Sequence, residues 1–160
     1  VVFIKPVKLK DIIENLDMVD DSCKAFYSKK SGKVLVASVE DLGIAEESEE
    51  DDDFAGYPEW QRDSIKEAID VIVNWEEYIE LPDRFEINEY GIMEDFCLSI
   101  SNDRISDDLC HSIKGKGAFR RFEDKIYHYG LDQKWYSFRD KALRRMAIAW
   151  CEENGVIYFE

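Results

Sequence analysis

CKAFYSKKSGKVLVASV, Cys23 to Val39, decides the class of fold. Two β-prone runs, CKAFYSKK and KVLVASV, meet around Ser31-Gly32, and strand propensity on both sides of a turn pair predicts a β-hairpin. Most of what lies outside it carries helical spacing, so this stretch is what separates an α+β chain from an all-helical one. The expected fold is α+β and mostly helical: a small N-terminal β-hairpin packed beside a bundle of about five helices, in a single domain over residues 1–160.

Upstream, Leu9, Ile12, Ile13 and Leu16 in KLKDIIENLDM recur at helical spacing and predict a short amphipathic helix ending near Asp20-Asp21. Downstream, DLGIAEESEEDDD, 41–53, carries eight acidic residues in thirteen and no basic one, which predicts a mobile acidic loop. Beyond it, Pro58 and Glu59 suit a helix start, and Trp60, Ile65, Ala68, Val71, Ile72, Trp75, Tyr78 and Ile79 share one side of a wheel. That pattern predicts a core-facing helix to about Ile79, stopped by Leu81-Pro82. Asn88 can cap a helix holding Ile92, Met93, Phe96 and Ile100, and Ile105, Leu109 and Ile113 define the next, ended by Gly115. Two more are expected, Ala118 to Tyr129 and Leu131 to about Asn154.

Composition narrows the function classes. The net charge of -15 opposes binding of duplex nucleic acid over the whole surface. The charge is unevenly spread, however. From Lys114 to Arg145 ten Lys and Arg face four Asp and Glu, a balance of +6, so the remainder carries -21. No apolar run approaches the length of a membrane span, and Val1 to Lys10 lacks the apolar core and cleavage site of a signal peptide. Cys23, Cys97, Cys110 and Cys151 are widely spaced, with no CxxC pair and no zinc-like histidine spacing, so neither a disulfide framework nor a metal site is signalled and a cytoplasmic location is expected.

Candidate chemistry concentrates in the basic segment. SIKGKGAFRRFED, 112–124, sets Lys116 between Gly115 and Gly117 ahead of Arg120 and Arg121. No phosphate-loop consensus is present, but glycines allow close backbone approach and the next helix offers free N–H groups to an anion. Arg121 and Lys125 stand four residues apart as like charges, an arrangement eased by an anion between them. Arg120 can instead pair with Asp124. On the last helix Arg139 falls amid the apolar sector, where a lone guanidinium would be costly, so it meets a carboxylate or lines a pocket. Glu94 and Asp95 are the expected internal partners; as a pocket cation, Arg139 would have Trp135 or Tyr136 available to stack on a ring. Lys134, Lys141, Arg144 and Arg145 fall on its solvated sector. Neither a carboxylate pair nor a nucleophile with a histidine is marked by spacing, which favours a non-enzymatic role without a cofactor.

AFYSKKSGKVLV, PEWQRDSI, YGIMEDFCLSI and GKGAFRRFEDKIYHYGLDQKWYSFRDKALRRMAIAWCEENGV together resemble the bacterial Uncharacterised Protein Family 0158 across nearly the whole chain. The run Gly115 to Phe122 and the segment Trp135 to Leu143 are its most specific parts. The resemblance implies a small, cytoplasmic, mostly helical bacterial protein and brings no established activity.

Two functional expectations follow. The first is a regulatory module binding a phosphate-bearing ligand, a nucleotide or single-stranded RNA, through Gly115, Lys116, Gly117, Arg120, Arg121, Lys125, Trp135, Tyr136 and Arg139. The alternative is an acidic interaction module of antitoxin, immunity or adaptor type, engaging a basic protein partner through Asp41, Glu46, Glu47, Glu49, Glu50, Asp51, Asp52 and Asp53. Neither reading involves a membrane. Unassigned aromatic residues would allow a homodimer, although no periodicity marks one.

Overall fold

The structure, a computed structural model, describes residues 4–160. The stretch read for a signal peptide, Val1 to Lys10, therefore lies partly outside the described residues. The fold is α+β and mostly helical, and the chain gathers into two compact units, one comprising residues up to Ile87 with Met146–Glu160, the other Asn88–Arg145.

In the first unit β1 (Val7–Lys8) leads directly into α1 (Leu9–Met18), which buries Leu9, Ile12 and Leu16 as their spacing requires. The hairpin follows as β2 (Cys23–Ser28) and β3 (Val34–Ser38), antiparallel with Phe26 opposite Leu35. Gly32 makes the turn with φ 74°, and a Cβ there would stand 2.6 Å from the Pro6 carbonyl oxygen, so the position needs glycine for both conformation and space. Tyr27 is fully buried; its hydroxyl donates to the Lys5 carbonyl and its ring meets Trp150 edge-on at 6.2 Å.

Two elements depart from the sequence reading here. The acidic stretch begins as helix: α2 (Val39–Glu47) is capped by Ser38, whose hydroxyl accepts from the Asp41 N–H at 3.0 Å. Helix α3 (Glu59–Val73) ends at Asn74, short of Ile79, and a 3-10 turn at Trp75–Glu77 redirects the chain into β4 (Tyr78–Glu80). β4 pairs antiparallel with β2, Tyr27 opposite Ile79, so the hairpin is part of a three-stranded sheet ordered β3-β2-β4. Sheet pairing prevails because Tyr78-Ile79 favours strand and β2 offers a free edge. Trp60 and Trp75, expected on the core face, are 70% and 68% exposed. Phe26, Ala37 and Val71 form the core beneath the sheet with Leu35, Leu42 and Tyr78 against them. The short α4 (Arg84–Ile87) closes this part, and β5 (Tyr158–Phe159) returns to pair parallel with β1.

The second unit is helical. Asn88 caps α5 (Glu89–Ser99), accepting from the Gly91 N–H at 3.2 Å, and Asn102 caps α6 (Asp103–Ser112) through the Ile105 N–H at 3.1 Å. Helix α7 (Ala118–His128) and the first part of α8 (Asp132–Glu153) complete it. Its core is aromatic: Phe96 contacts Phe122, Trp135 and Phe138 at centroid distances of 6.1, 5.3 and 5.4 Å, and Phe122 meets Trp135 at 4.8 Å. These edge-on pairs add to the burial of their apolar surface. Among the described residues no helix is long and apolar enough to cross a membrane.

Candidate functional site

The glycine-rich loop joins α6 to α7. Gly115 and Gly117 adopt φ of 79° and 76°, turning the loop so that its carbonyl groups converge on one side chain. That side chain is Arg121. Its Nε donates to the Ser112 carbonyl at 2.8 Å, Nη2 to the Lys114 carbonyl at 2.5 Å, and Nη1 to the Lys116 carbonyl. The guanidinium thus satisfies carbonyls at and just beyond the end of α6, where the helix carries its negative pole. The electrical sense is opposite to an anion cradle, because the loop presents oxygen atoms inward to a cation. Lys116 and Arg120 are exposed beside it, and Arg120 makes no ion pair with Asp124.

The other residues marked in the sequence disperse. Lys125 pairs with Asp108 at 3.0 Å, and Asp108 also accepts from the Tyr129 hydroxyl. The Tyr129 bond and then the Lys125 ammonium hold the Asp108 carboxyl below its ordinary range, and Asp108 in turn raises Lys125. Trp135 is buried in the aromatic core and has no face to offer a base. Tyr136 is exposed, its hydroxyl 2.7 Å from that of Tyr127. Arg139 binds Glu89 in a two-pronged contact, Nε to Oε1 at 2.5 Å and Nη2 to Oε2 at 3.2 Å. Glu94 and Asp95, the expected partners, are exposed. On α5 the core face carries Ile92, Met93, Phe96 and Cys97; Glu89 lies one turn below that face, whereas Glu94 and Asp95 point away from it.

A different set of residues forms a concavity. Between the α5–α6 turn and the start of α8 lies an open cleft of about 600 Å³, within the range of small-molecule sites. Phe96, Ile100, Ile105, Leu131 and Phe138 supply apolar walls, while Ser99, Ser101, Asn102, Gln133 and Ser137 bring polar groups to it. Lys134 and Lys141 stand on its α8 side, flanking Ser137 at helical spacing. Neither ammonium is held in an ion pair among the described residues. Sequence reading placed these lysines on a solvated face; their spacing with Ser137 was the available signal, and the opposing wall from α5 and α6 was not visible in it.

In the first unit the acidic residues divide. Asp41 is buried, its Oδ1 accepting from Gln61 Nε2 at 3.3 Å. Glu46, Glu47, Glu49, Glu50, Asp51, Asp52 and Asp53 are exposed. The run ends in local turns: Asp52 accepts from the Phe54 N–H at 2.9 Å, Asp53 from the Ala55 N–H at 3.0 Å, and Phe54 itself is buried. Among the described residues no cluster of three His, Cys, Asp or Glu side chains could hold a metal ion.

The sequence matches the model of an uncharacterised protein family, UPF0158, over residues 4–159, and the chain belongs to that family. It is also similar to a UPF0158 protein of Pseudomonas aeruginosa, 27% identical over 67 residues, an alignment covering 41% of this chain and 44% of that protein. The match thus spans less than half the length of that relative. No solved structure matches the chain.

Proposed function

We propose that this family member is a non-catalytic binding protein that takes a phosphate-bearing ligand of nucleotide size in the cleft beside α8. The observation that carries the proposal is the pairing of Lys134 and Lys141, neither in an ion pair among the described residues, with an apolar wall that includes Phe138. An anion on the α8 side would meet two ammonium groups and the Ser137 hydroxyl, and a planar apolar body would lie toward Phe138 and Ile105. The glycine loop and Arg121 lie outside this reading, since their groups satisfy one another.

The size of the cleft favours a single nucleotide over a strand. Isothermal titration of the full chain with ribonucleoside 5′-phosphates, inorganic phosphate and a short single-stranded RNA tests this. Saturable nucleotide binding is expected, weakened about tenfold by Lys134→Ala or Lys141→Ala, which corresponds to about 1.4 kcal/mol for one charged contact. Lys116→Ala should leave it unchanged. Binding of RNA alone, or nucleotide binding indifferent to both cleft substitutions, overturns the assignment.

A further inference from the structure

A second cleft lies wholly within the first unit, where the hairpin turn faces the end of α3 and the 3-10 turn after it. The pairing of β4 with β2 makes it, because Ser28 stands opposite Tyr78 and brings the residues after β2 beside those before β4. Its volume of about 500 Å³ is that of a small-molecule site. The two polar walls carry opposite charge. From the hairpin come Lys30, Ser31 and Lys33; from the other side come Asp70, Asn74 and Glu77. Val34, Leu35 and the Tyr78 ring supply apolar surface.

Each wall is fixed by its own bonds. The Ser31 N–H donates to the Ser28 hydroxyl and the Lys33 N–H to the Ser31 hydroxyl, both at 3.2 Å, which sets the turn. Opposite, Asp70 accepts from Asn74 Nδ2 at 2.7 Å and from the Tyr78 hydroxyl. Burial, and then the bond to Asp70, push the Tyr78 phenol up to about 12, so it stays a neutral donor. Lys29 ties the walls without pairing charge, its ammonium donating to the Glu76 carbonyl at 2.9 Å and its N–H to the Glu77 carbonyl at 2.8 Å. Among the described residues no ion pair joins Lys30 or Lys33 to Asp70 or Glu77.

Cations and carboxylates that share a cleft without meeting leave both signs to a ligand. A group of one sign is drawn to one wall and repelled by the other, whereas a zwitterion satisfies both. We propose that this cleft binds a small zwitterion, a free amino acid or dipeptide with an apolar side chain, its carboxylate toward Lys30 and Lys33 and its ammonium toward Asp70 and Glu77. The apolar side chain lies along Leu35 and Tyr78. The nucleotide cleft belongs to the other unit, and neither reading depends on the other.

The test is an amide chemical-shift titration of the folded full chain with L-leucine and with L-leucyl-L-leucine, which separates the two sources. Saturable shifts at Ser31, Lys33 and Glu77 are expected with at least one of them. Acetylating the amine or amidating the carboxylate of the compound that binds should each weaken it about tenfold. The Lys30→Ala, Lys33→Ala double variant should weaken the free-carboxylate form to the same degree and leave the amide form unchanged, a difference that a general loss of folding does not produce. Glu77→Gln should likewise weaken the free-amine form and spare the acetylated one. Absence of saturation with both compounds, blocked forms that bind as tightly as the free one, or shifts confined to Asn88–Arg145 overturn the proposal.

Discussion

Replacing Arg121 by alanine is expected to remove stability and leave ligand binding untouched, the reverse of what its place just after a glycine-rich basic loop suggests. Its guanidinium donates to three carbonyls that α6 and the loop leave unpaired. A hydrogen bond from a charged donor contributes about 1.5–3 kcal/mol in a protected setting, which fits only the partly buried bond to Ser112. The two exposed bonds contribute well under about 1 kcal/mol each, and a cation at a helix C-terminus adds about 0.3–1 kcal/mol. The loss should be about 2–3 kcal/mol, or a fall in Tm of about 5–10 °C for a chain of this size. Arg121→Lys should recover less than half, because one ammonium cannot span three diverging acceptors. Urea denaturation and differential scanning calorimetry measure the effect. An Arg121→Ala protein melting within about 1 °C of the wild type refutes the clasp.

Two further outcomes follow from the charges and the tryptophans. The folded-state pKa of Asp108 is depressed by Tyr129 and Lys125, so its contribution to stability is present above the ordinary carboxylate range and is lost as pH falls through the depressed value. Asp108→Asn should therefore flatten the acid limb of a stability–pH curve and leave the slope above pH ~6 unchanged; an unaltered acid limb contradicts the network. Trp60 and Trp75 are exposed, whereas Trp135 and Trp150 are buried, so acrylamide should quench emission in two classes. The accessible class should vanish in the Trp60→Phe, Trp75→Phe double variant, and its persistence there contradicts the burial of Trp135 and Trp150.

Helix positions and caps were legible in the sequence because their causes are local. Asn88 caps α5 as its residue type suggests, and the apolar spacing of α1 and α6 reports the faces they bury. What escaped depends on distant partners. The wheel that carries Trp60 and Ile65 continues through Tyr78, and only the edge of β2 turns that last segment into strand. Glu94 and Asp95 suggest themselves as partners of Arg139 because they sit among the core-spaced Met93 and Phe96, although the face of α5 places Glu89 where Glu94 and Asp95 cannot reach. Charge repulsion alone predicts a loop for the acidic stretch, which misses that Ser38 starts a helix and that Phe54 anchors its far end. At the candidate site the spacing of the lysines marks one wall, but a cleft needs two, and the second comes from a turn whose course no spacing reveals.

The first unit is discontinuous in the chain, and this sets an order on its making. Its last pieces, Trp150 against Tyr27 and β5 against β1, arrive only after residues 88–145 have been synthesised. During translation the contiguous helical unit can settle as it leaves the ribosome, while the sheet-bearing part waits with Tyr27 uncovered. Its completion waits on the residues from Met146 onward, and through that interval a nascent chain is open to chaperones and proteases.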